Sequence, residues 1–363
     1  MKRIISAKKL YTGDTWLSDV AVVYENEIIC DVLPTVALED EAPIHAKFPV
    51  VAPAFFDIQI YGAGAKLLSV YPEADTLHKM YEYCKGGGAH WFLPAVSTNT
   101  TEVFHRSIDA VRKYWEEGGQ GVVGLHIEGP WISVEKRGAH LEQYIHSPEM
   151  EEVKNLLDYG KDVIKLITLA PEVCSVEIIE LIKSHDIVVS AGHSNMSFQQ
   201  ANEAFEKIQL TTHLFNAMTG VHHRGPGFPA AIMLHPKVMS SIVPDGFHVD
   251  FNMIRLAKKL MQERLFIITD AVTETDEGPY RHQLDGDKYV TGDILSGSSL
   301  TMLKGVQNLI RECEIEPGEA MNMASLYPAR ALGLENEIGK VAKNRPAHFV
   351  CLDADYNFLQ NVG

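Results

Sequence analysis

Cysteine, basic residues and long apolar runs are all scarce in this chain of 363 residues. The cysteines are Cys30, Cys84, Cys174, Cys313 and Cys351, an odd number without a Cys-x-x-Cys pair. That pattern argues against a disulfide framework and against a cysteine zinc site. No stretch reaches the roughly 18 apolar residues that a membrane span requires, and the N-terminal segment MKRIISAKKLYTGDTW lacks the apolar core of a signal peptide. We therefore expect a cytoplasmic protein.

The shortage of basic residues restricts the partners that the chain can bind. Lysine and arginine total 32 against 48 acidic residues, which gives a formal net charge of −16. Nucleic acid and anionic membranes both require a basic face, so we expect neither as a partner. Any site for a small anion must be built locally from a few basic groups.

The hydrophobic residues, 46% of the chain, predict an α/β fold from their order. Short strands without helical periodicity are predicted as far as about residue 52, and apolar strands then alternate with amphipathic helices such as Glu102–Glu116, Ser197–Lys207 and Phe251–Gln262. The predicted barrel strands are Val50–Ile60, Phe92–Ser97, Val122–Glu128, Val163–Leu169, Ile187–His193, Leu210–Leu214, Ser240–Pro244 and Leu265–Asp270. Eight such units are typical of a (β/α)8 TIM-type barrel.

The remaining segments predict a second, smaller domain. A Gly- and Asp-rich insertion, Asp276–Gly297, is expected to form a hairpin over the barrel mouth. Helices at Leu300–Cys313 and Gly318–Leu332 follow, and the tail returns to short strands. Since domain termini often lie close together, we expect one small β-sandwich domain built from both chain ends, 1–52 plus 334–363, beside a barrel of residues 53–333.

Polar residues at the predicted strand ends mark the candidate site, because catalytic groups of a barrel lie at the C-terminal ends of its strands. Strand one ends at Asp57 and Gln59, and later strands end at Glu128, His193, His213 and Asp270. Two histidines, one carboxylate and an open fourth position are typical of a catalytic divalent metal. A single histidine after a strand is more often a capping or core group, so the argument depends on the three residues together.

Eight motifs stand in order along the chain and carry a family resemblance. They are GLHIEGPW (Gly124–Trp131), KRGAH (Lys136–His140), SAGHS (Ser190–Ser194), THLFNAM (Thr212–Met218), DGFHVD (Asp245–Asp250), TDA (Thr269–Ala271), LSGSSLTM (Leu295–Met302) and LYPAR (Leu326–Arg330). From about Pro53 to Gly333 the chain resembles the N-acetylglucosamine-6-phosphate deacetylases of the amidohydrolase superfamily. The resemblance implies hydrolysis of an acetamide to acetate and an amino-sugar phosphate.

Residue by residue, the resemblance implies a role for each motif. Glu128, His193 and His213 match the metal ligands, Asp270 matches the catalytic aspartate, and His140 matches a histidine that stabilises the oxyanion. The residues that match substrate contacts are Ala139, His140, Asn216, Ala217, Arg224, His248, Leu295, Ser296 and Gly297. Arg224, in the basic cluster His222-His223-Arg224, can offer a bidentate fork to a phosphate.

The resemblance also implies an assembly. The residues that match Arg224 and His248 reach across a subunit interface in the family. We therefore expect a homodimer or a dimer of dimers in which both side chains complete the site of a neighbouring subunit.

The end of strand one departs from a pattern that many amidohydrolases share. Two histidines spaced as HxH bind a second metal there, whereas this chain reads Asp57-Ile58-Gln59-Ile60-Tyr61. Glutamine and tyrosine are poor ligands for a divalent transition metal, so we expect one metal per subunit. Zinc is favoured, with iron, manganese and cobalt as alternatives. Tyr61 is expected to narrow the mouth or to alter the sugar preference.

Three alternatives stay open at this point. The substrate can be another N-acyl amino sugar, such as N-acetylgalactosamine 6-phosphate, and the same metal set also serves dipeptidases and cyclic amidases. A protein of a different class, a metal-free barrel that acts as an interaction scaffold, would not require Glu128, His193, His213 and Asp270 together.

The missing HxH pattern generates a prediction about metal content. Purified protein is expected to hold about one divalent metal per chain, because only Glu128, His193 and His213 form a complete ligand set. Elemental analysis of the purified protein measures this ratio. Two equivalents per chain, both needed for activity, would contradict the single-metal hypothesis.

Overall fold

The computed structural model describes residues 2–38, 43–275 and 277–363. Met1 and 39–42, which belong to the predicted small domain, and Asp276, the first residue of the predicted insertion, lie outside the described residues.

The strands in chain order are β1 (Arg3–Tyr11), β2 (Trp16–Glu25), β3 (Ile28–Pro34), β4 (Ala46–Pro53), β5 (Phe55–Ile60), β6 (Gly62–Ala63), β7 (Lys66–Leu67), β8 (Ala89–Ser97), β9 (Leu125–Glu128), β10 (Ile164–Leu169), β11 (Val188–Ala191), β12 (Leu210–Thr211), β13 (Met239–Ile242), β14 (Leu265–Ile267), β15 (Gln283–Asp285), β16 (Lys288–Thr291), β17 (Ile294–Ser298), β18 (Phe349–Leu352) and β19 (Phe358–Val362). The helices are α1 (Ala74–Gly86), α2 (Thr101–Glu116), α3 (Met150–Gly160), α4 (Val176–Lys183), α5 (Phe198–Ala204), α6 (Gly227–Leu234), α7 (Phe251–Met261), α8 (Met302–Arg311), α9 (Pro317–Ala324) and α10 (Leu326–Ala331).

An eight-stranded parallel sheet forms the centre of the molecule, in the order β5, β8, β9, β10, β11, β12, β13, β14. Most residues of its strands are buried, and most are apolar, as expected of a sheet covered by helices. The sheet closes on itself where the Asp270 N–H donates to the Gln59 carbonyl (3.0 Å) and the Tyr61 N–H donates to the Ala271 carbonyl (2.9 Å). The predicted (β/α)8 barrel is confirmed.

A second, six-stranded sheet is built from both chain ends, in the order β19, β18, β4, β1, β2, β3. It has its own core, which includes Leu10, Val22, Val51 and Phe349. The predicted small β-domain assembled from the two termini is therefore confirmed, while the domain bounds 1–52 with 334–363 and 53–333 stay a prediction.

The predicted strand Val50–Ile60 is in fact two strands that belong to different sheets. β4 pairs with β1 and β18 in the small sheet, and β5 pairs with β8 in the barrel. Ala54 lies between them, and its N–H donates to the His348 carbonyl (3.0 Å). Because β4 and β5 are both buried, their apolar residues form one continuous run. The hydrophobic pattern of the sequence therefore does not show where one strand ends and the next begins.

The predicted helix Gly318–Leu332 is also divided, into α9 and α10. Ser325 separates them with φ −134° and ψ −72°, which is not helical. Pro328 follows three residues later and has no N–H to donate back to residue 324. Ser197 and Gln200 form a capping box at the start of α5.

The insertion folds as the antiparallel sheet β15–β16–β17. Within the parts of the chain described above, every helix is too short or too polar to cross a membrane.

The side chain of Asn322 connects helix α9 to the six-stranded sheet at the end of β1, and we expect its removal to lower stability. Its side-chain N–H groups donate from α9 to the Tyr11 hydroxyl (2.8 Å) and to the Gly13 carbonyl (3.1 Å). Asn322→Ala is expected to lower the free energy of unfolding by about 1–3 kcal/mol, because buried acceptors lose their donor. Urea denaturation measures the change. Asn252→Ala, on an exposed position of α7, is the matched control and should change stability by less than about 0.5 kcal/mol. Equal unfolding midpoints for the two variants would contradict the prediction.

Candidate active site

Four polar side chains lie together at the C-terminal edge of the barrel. Glu128 is the last residue of β9, while His193, His213 and Asp270 follow β11, β12 and β14 within three residues. The backbones of the latter three adopt left-handed conformations, with φ of 47°, 38° and 54°. Such conformations are unfavourable for residues with a β-carbon and persist where the surrounding structure imposes them.

Glu128, His193 and His213 converge on one point. Glu128 Oε1 lies 3.4 Å from Nε2 of each histidine, and the two Nε2 atoms lie 3.0 Å apart. One ligand atom from each residue lies within 4.8 Å of the others, and all three side chains are buried. His193 Nδ1 lies 2.9 Å from the Lys136 carbonyl, which directs Nε2 toward the centre. The donor set and its convergence fit a divalent metal ion.

Electrostatics prepare this cluster for a cation. Burial opposes ionisation of Glu128, but His193 and the hydrogen bonds from the histidines outweigh it and hold the pKa of Glu128 well below its usual range. Burial lowers the pKa of His193 to about 4 and so keeps that imidazole neutral. Burial also opposes the charge on His213, yet its hydrogen bond to Glu128 raises the pKa of His213 overall. The ionised Glu128 and the neutral His193 are in the state in which these groups ligate metals, whereas a proton on His213 would be displaced when a metal binds.

His140 lies on the other side of the same carboxylate. The Thr98 N–H donates to His140 Nδ1 at 3.3 Å, so this nitrogen is an acceptor and the ring proton is assigned to Nε2. His140 Nε2 lies 3.1 Å from Glu128 Oε2 and lines the cleft. The site therefore contains an N–H donor held in one orientation.

Asp270 faces the metal-binding cluster across the barrel mouth. Gln59 Nε2 donates to Asp270 Oδ1 at 2.8 Å, and His248 Nε2 lies 3.7 Å from Asp270 Oδ2. Burial raises the pKa of Asp270, although the positive potential of His248 and His213 opposes the shift. A carboxylate with a raised pKa binds a proton more readily than an ordinary aspartate, which suits a group that accepts and then returns a proton.

The end of β5 places polar groups where the HxH pattern would stand. Gln59 Nε2 also donates to Glu128 Oε1 at 3.1 Å, and the Tyr61 hydroxyl donates to Glu128 Oε2. Tyr61 lines the cleft, and its effect on the width of the mouth or on the sugar preference stays a prediction. Asp57 lies deeper, where its carboxylate accepts hydrogen bonds from the Thr269 backbone N–H (3.2 Å) and side chain. Asp57 therefore supports the residue next to Asp270 and does not line the cleft.

Most of the residues predicted to contact a substrate line the same cleft. They are Ala139, His140, Asn216, Ala217, His248, Leu295, Ser296 and Gly297. Arg224 is exposed in the loop before α6 and does not line it. Among the described residues that line the cleft there is no lysine or arginine.

His248, which was expected to reach across a subunit interface, lies in the cleft of its own chain. Its Nδ1 lies 2.6 Å from Asp245 Oδ2, and its side chain is 6% exposed inside the cleft of its own chain. The Asp245 carboxylate also accepts the backbone N–H of His248 at 2.8 Å. These contacts hold the ring beside Asp270 of the same chain.

Tyr280 and His282, both in the insertion, line the cleft and were missed by the sequence analysis. The Tyr280 hydroxyl donates to the Thr98 carbonyl at 2.6 Å, and His282 Nδ1 lies 2.9 Å from Ser296 Oγ. The sequence analysis predicted that the insertion lies over the barrel mouth, but that prediction did not specify which of its side chains point into the cleft.

Comparison with known proteins agrees with this architecture. The family model described as "Amidohydrolase family" matches residues 50–362. The chain is 32% identical over 368 residues to an N-acetylglucosamine-6-phosphate deacetylase of Haemophilus influenzae, covering 97% of this chain and 96% of the relative. It is 28% identical over 375 residues to an N-acetylgalactosamine-6-phosphate deacetylase of Escherichia coli O157:H7, covering 99% and 97%.

Solved structures give the same result. The crystal structure of an N-acetylglucosamine-6-phosphate deacetylase from Pasteurella multocida superposes with a TM-score of 0.93 at 29% identity, covering 100% of this chain and 98% of that one. With the barrel, the ligand-type residues at its mouth and a match over most of its length, the chain belongs to the amidohydrolase family.

Proposed function

We propose that this chain hydrolyses the acetamide of N-acetyl-D-glucosamine 6-phosphate to D-glucosamine 6-phosphate and acetate. The observation that carries the proposal is the convergence of Glu128, His193 and His213 beside Asp270 and His140 in one cleft. The similarity to the Haemophilus and Pasteurella deacetylases supports the substrate.

Glu128, His193 and His213 would hold one divalent ion, with zinc favoured over iron, manganese and cobalt. When bound there, such an ion would lower the pKa of a water molecule and polarise the amide carbonyl. The neutral groups at the end of β5, the Gln59 amide and the Tyr61 hydroxyl, support a single ion, because they already occupy both oxygens of Glu128.

Asp270 would act as the general base and then as the general acid. Gln59 holds its Oδ1, which leaves Oδ2, on the side of His248, to take a proton from the attacking water. As the carbon–nitrogen bond breaks, the same oxygen returns that proton to the departing amine.

His140 would stabilise the negative charge that develops on the carbonyl oxygen. Thr98 fixes the tautomer in which Nε2 carries the proton, so the donor is oriented before the substrate binds. A preorganised donor of this kind is worth more than one that must reorient during the reaction.

The phosphate is assigned to Arg224 of a second copy of the chain. The described lining of the cleft contains no lysine or arginine, whereas Arg224 and its neighbours His222 and His223 are exposed. Val221 and Phe247 are large apolar residues that are also exposed, at 52% and 49%. These features favour a homodimer, or a dimer of dimers, in which the loop before α6 of each subunit completes the neighbouring cleft. The few cysteines, without a Cys-x-x-Cys pair, favour a cytoplasmic location.

A second candidate substrate is N-acetylgalactosamine 6-phosphate. The similarity to the Escherichia coli O157:H7 relative favours it. Acetate release from a panel of N-acetyl hexosamines, with and without the 6-phosphate, separates the two substrates. No release from any member of the panel by metal-loaded protein would refute the proposed function.

Asp270→Asn tests the proton transfer. The variant is expected to keep its metal and to lose turnover by about 10²-fold or more, since asparagine cannot accept and return a proton. Acetate release and elemental analysis measure the two properties. Asp158→Asn removes a carboxylate from an exposed position of α3 and should retain wild-type turnover. Near-wild-type kcat in Asp270→Asn would remove Asp270 from its proposed role.

Arg224→Ala tests the phosphate contact. A lost bidentate contact is expected to lower kcat/KM by about 30- to 1000-fold for N-acetylglucosamine 6-phosphate. The variant and the wild type should differ little on N-acetylglucosamine, which lacks the phosphate. Arg106→Ala, an exposed arginine of α2, is the matched control. An equal loss on both sugars would show that Arg224 does not bind the phosphate.

Mixing Arg224→Ala chains with Asp270→Asn chains tests the shared site. If Arg224 acts in the neighbouring subunit, some mixed dimers carry one intact site and activity returns. Activity that stays at the sum of the two separate variants would place Arg224 in its own subunit.

A further inference from the structure

His282 is a buried polar side chain of the cleft that the proposed chemistry does not use. It precedes β15 in the insertion, is 7% exposed and lines the cleft together with Asp270 and His140. Its Nδ1 lies 2.9 Å from Ser296 Oγ. Its Nε2 makes no hydrogen bond to any part of the chain that the structure describes. This atom is not among the fully buried polar atoms, so a ligand in the cleft can reach it. The ring therefore presents one unpartnered nitrogen.

The insertion fixes this ring relative to the reacting groups. The rings of His282 and Tyr280 lie nearly parallel, at 10°, with centroids 6.4 Å apart. The Tyr280 hydroxyl donates to the Thr98 carbonyl at 2.6 Å, and Thr98 Oγ1 lies 2.7 Å from His140 Nδ1. Tyr280 and Thr98 therefore lie between His282 and His140, the proposed oxyanion donor. A side chain held in one place can distinguish substrates by where they carry a hydrogen-bonding group.

The chemistry of the free nitrogen indicates what it binds. Burial lowers the pKa of His282 to about 4, so the ring is neutral at neutral pH. If the Ser296 hydroxyl donates to Nδ1, then Nε2 carries the ring proton and is a donor; if the hydroxyl accepts from Nδ1–H, then Nε2 is an acceptor. A sugar hydroxyl satisfies either tautomer because it both donates and accepts. A phosphate oxygen satisfies only one tautomer, and a neutral ring offers it no charge.

We propose that His282 is a substrate-binding residue that hydrogen-bonds a ring hydroxyl of the amino sugar and thereby contributes to epimer selectivity. The inference rests on the proposed function, because an amino sugar must occupy the cleft. It adds His282 to the residues of the insertion, Leu295, Ser296 and Gly297, that were predicted to contact the substrate.

Substitutions of His282 separate hydrogen bonding from packing. His282→Phe keeps an aromatic ring and is expected to lower kcat/KM for N-acetylglucosamine 6-phosphate by about 10-fold, mainly through KM, because a buried hydroxyl loses its partner. His282→Asn, whose shorter amide reaches Ser296 but not the Nε2 position, should lose the same factor. His282→Gln, which carries an amide near the Nε2 position, should recover most of the loss. Gln283→Ala, exposed on β15, is the control and should match the wild type.

Deoxy substrates identify the contact. The 3-deoxy and 4-deoxy analogues of N-acetylglucosamine 6-phosphate are measured with the wild type and with the His282 variants, at equal metal content. For the wild type, kcat/KM is expected to be about 10-fold lower on one of the two analogues than on the full substrate. On that analogue His282→Phe should have the same kcat/KM as the wild type, because removing the hydroxyl and removing the imidazole delete the same hydrogen bond.

Two results would overturn the assignment. One is wild-type kcat/KM in both His282→Phe and His282→Asn, and the other is an equal loss on the full substrate and on both analogues. Either result leaves the proposed deacetylation intact if the wild type releases acetate. Failure of the wild type on every phosphorylated N-acetyl hexosamine would instead refute the proposed function.

Discussion

The carboxylate of Glu128 is buried at the barrel mouth, and the arrangement of the site depends on how that charge is compensated. An isolated carboxylate away from water is costly, so it persists only with hydrogen-bond donors or cations around it. Two histidines face Oε1, while Tyr61 and His140 face Oε2. Two of these partners, His193 and His213, also form the convergent donor set together with Glu128. Stability and metal binding therefore depend on one cluster.

Closure of the barrel extends this constraint to Asp270. β5 meets the chain after β14 through the hydrogen bonds of Gln59 and Ala271, and Gln59 then reaches both acidic side chains with its amide. The Asp57 carboxylate stabilises the same junction by accepting hydrogen bonds from the backbone N–H and the hydroxyl of Thr269. The left-handed backbone at Asp270 is held by these contacts. The proposed base and the ligand cluster are consequently positioned by the seam at which the first and last strands join.

The strand pattern predicted much of this arrangement from local properties alone. Buried parallel strands read as continuous apolar runs, and the ends of such strands meet at one edge, so Glu128, His193, His213 and Asp270 were expected together. The same continuity hid the junction between β4 and β5, because both neighbouring sheets bury their strands. Ser325 was placed inside a helix because hydrophobic periodicity continues across the break before Pro328.

The sequence by itself determined the fold class and the kinds of residue at the barrel mouth, since period, turn chemistry and residue type are local properties of a chain. Only the tertiary structure decided that the Tyr61 hydroxyl faces Glu128, that His248 stays in its own cleft, that Arg224 points to solvent and that His282 points inward. These outcomes depend on contacts between segments far apart in the chain. Residue 61 meets residue 128 because the barrel closes, and His282 enters the cleft because the insertion folds back over the mouth; neither event leaves a periodic signal.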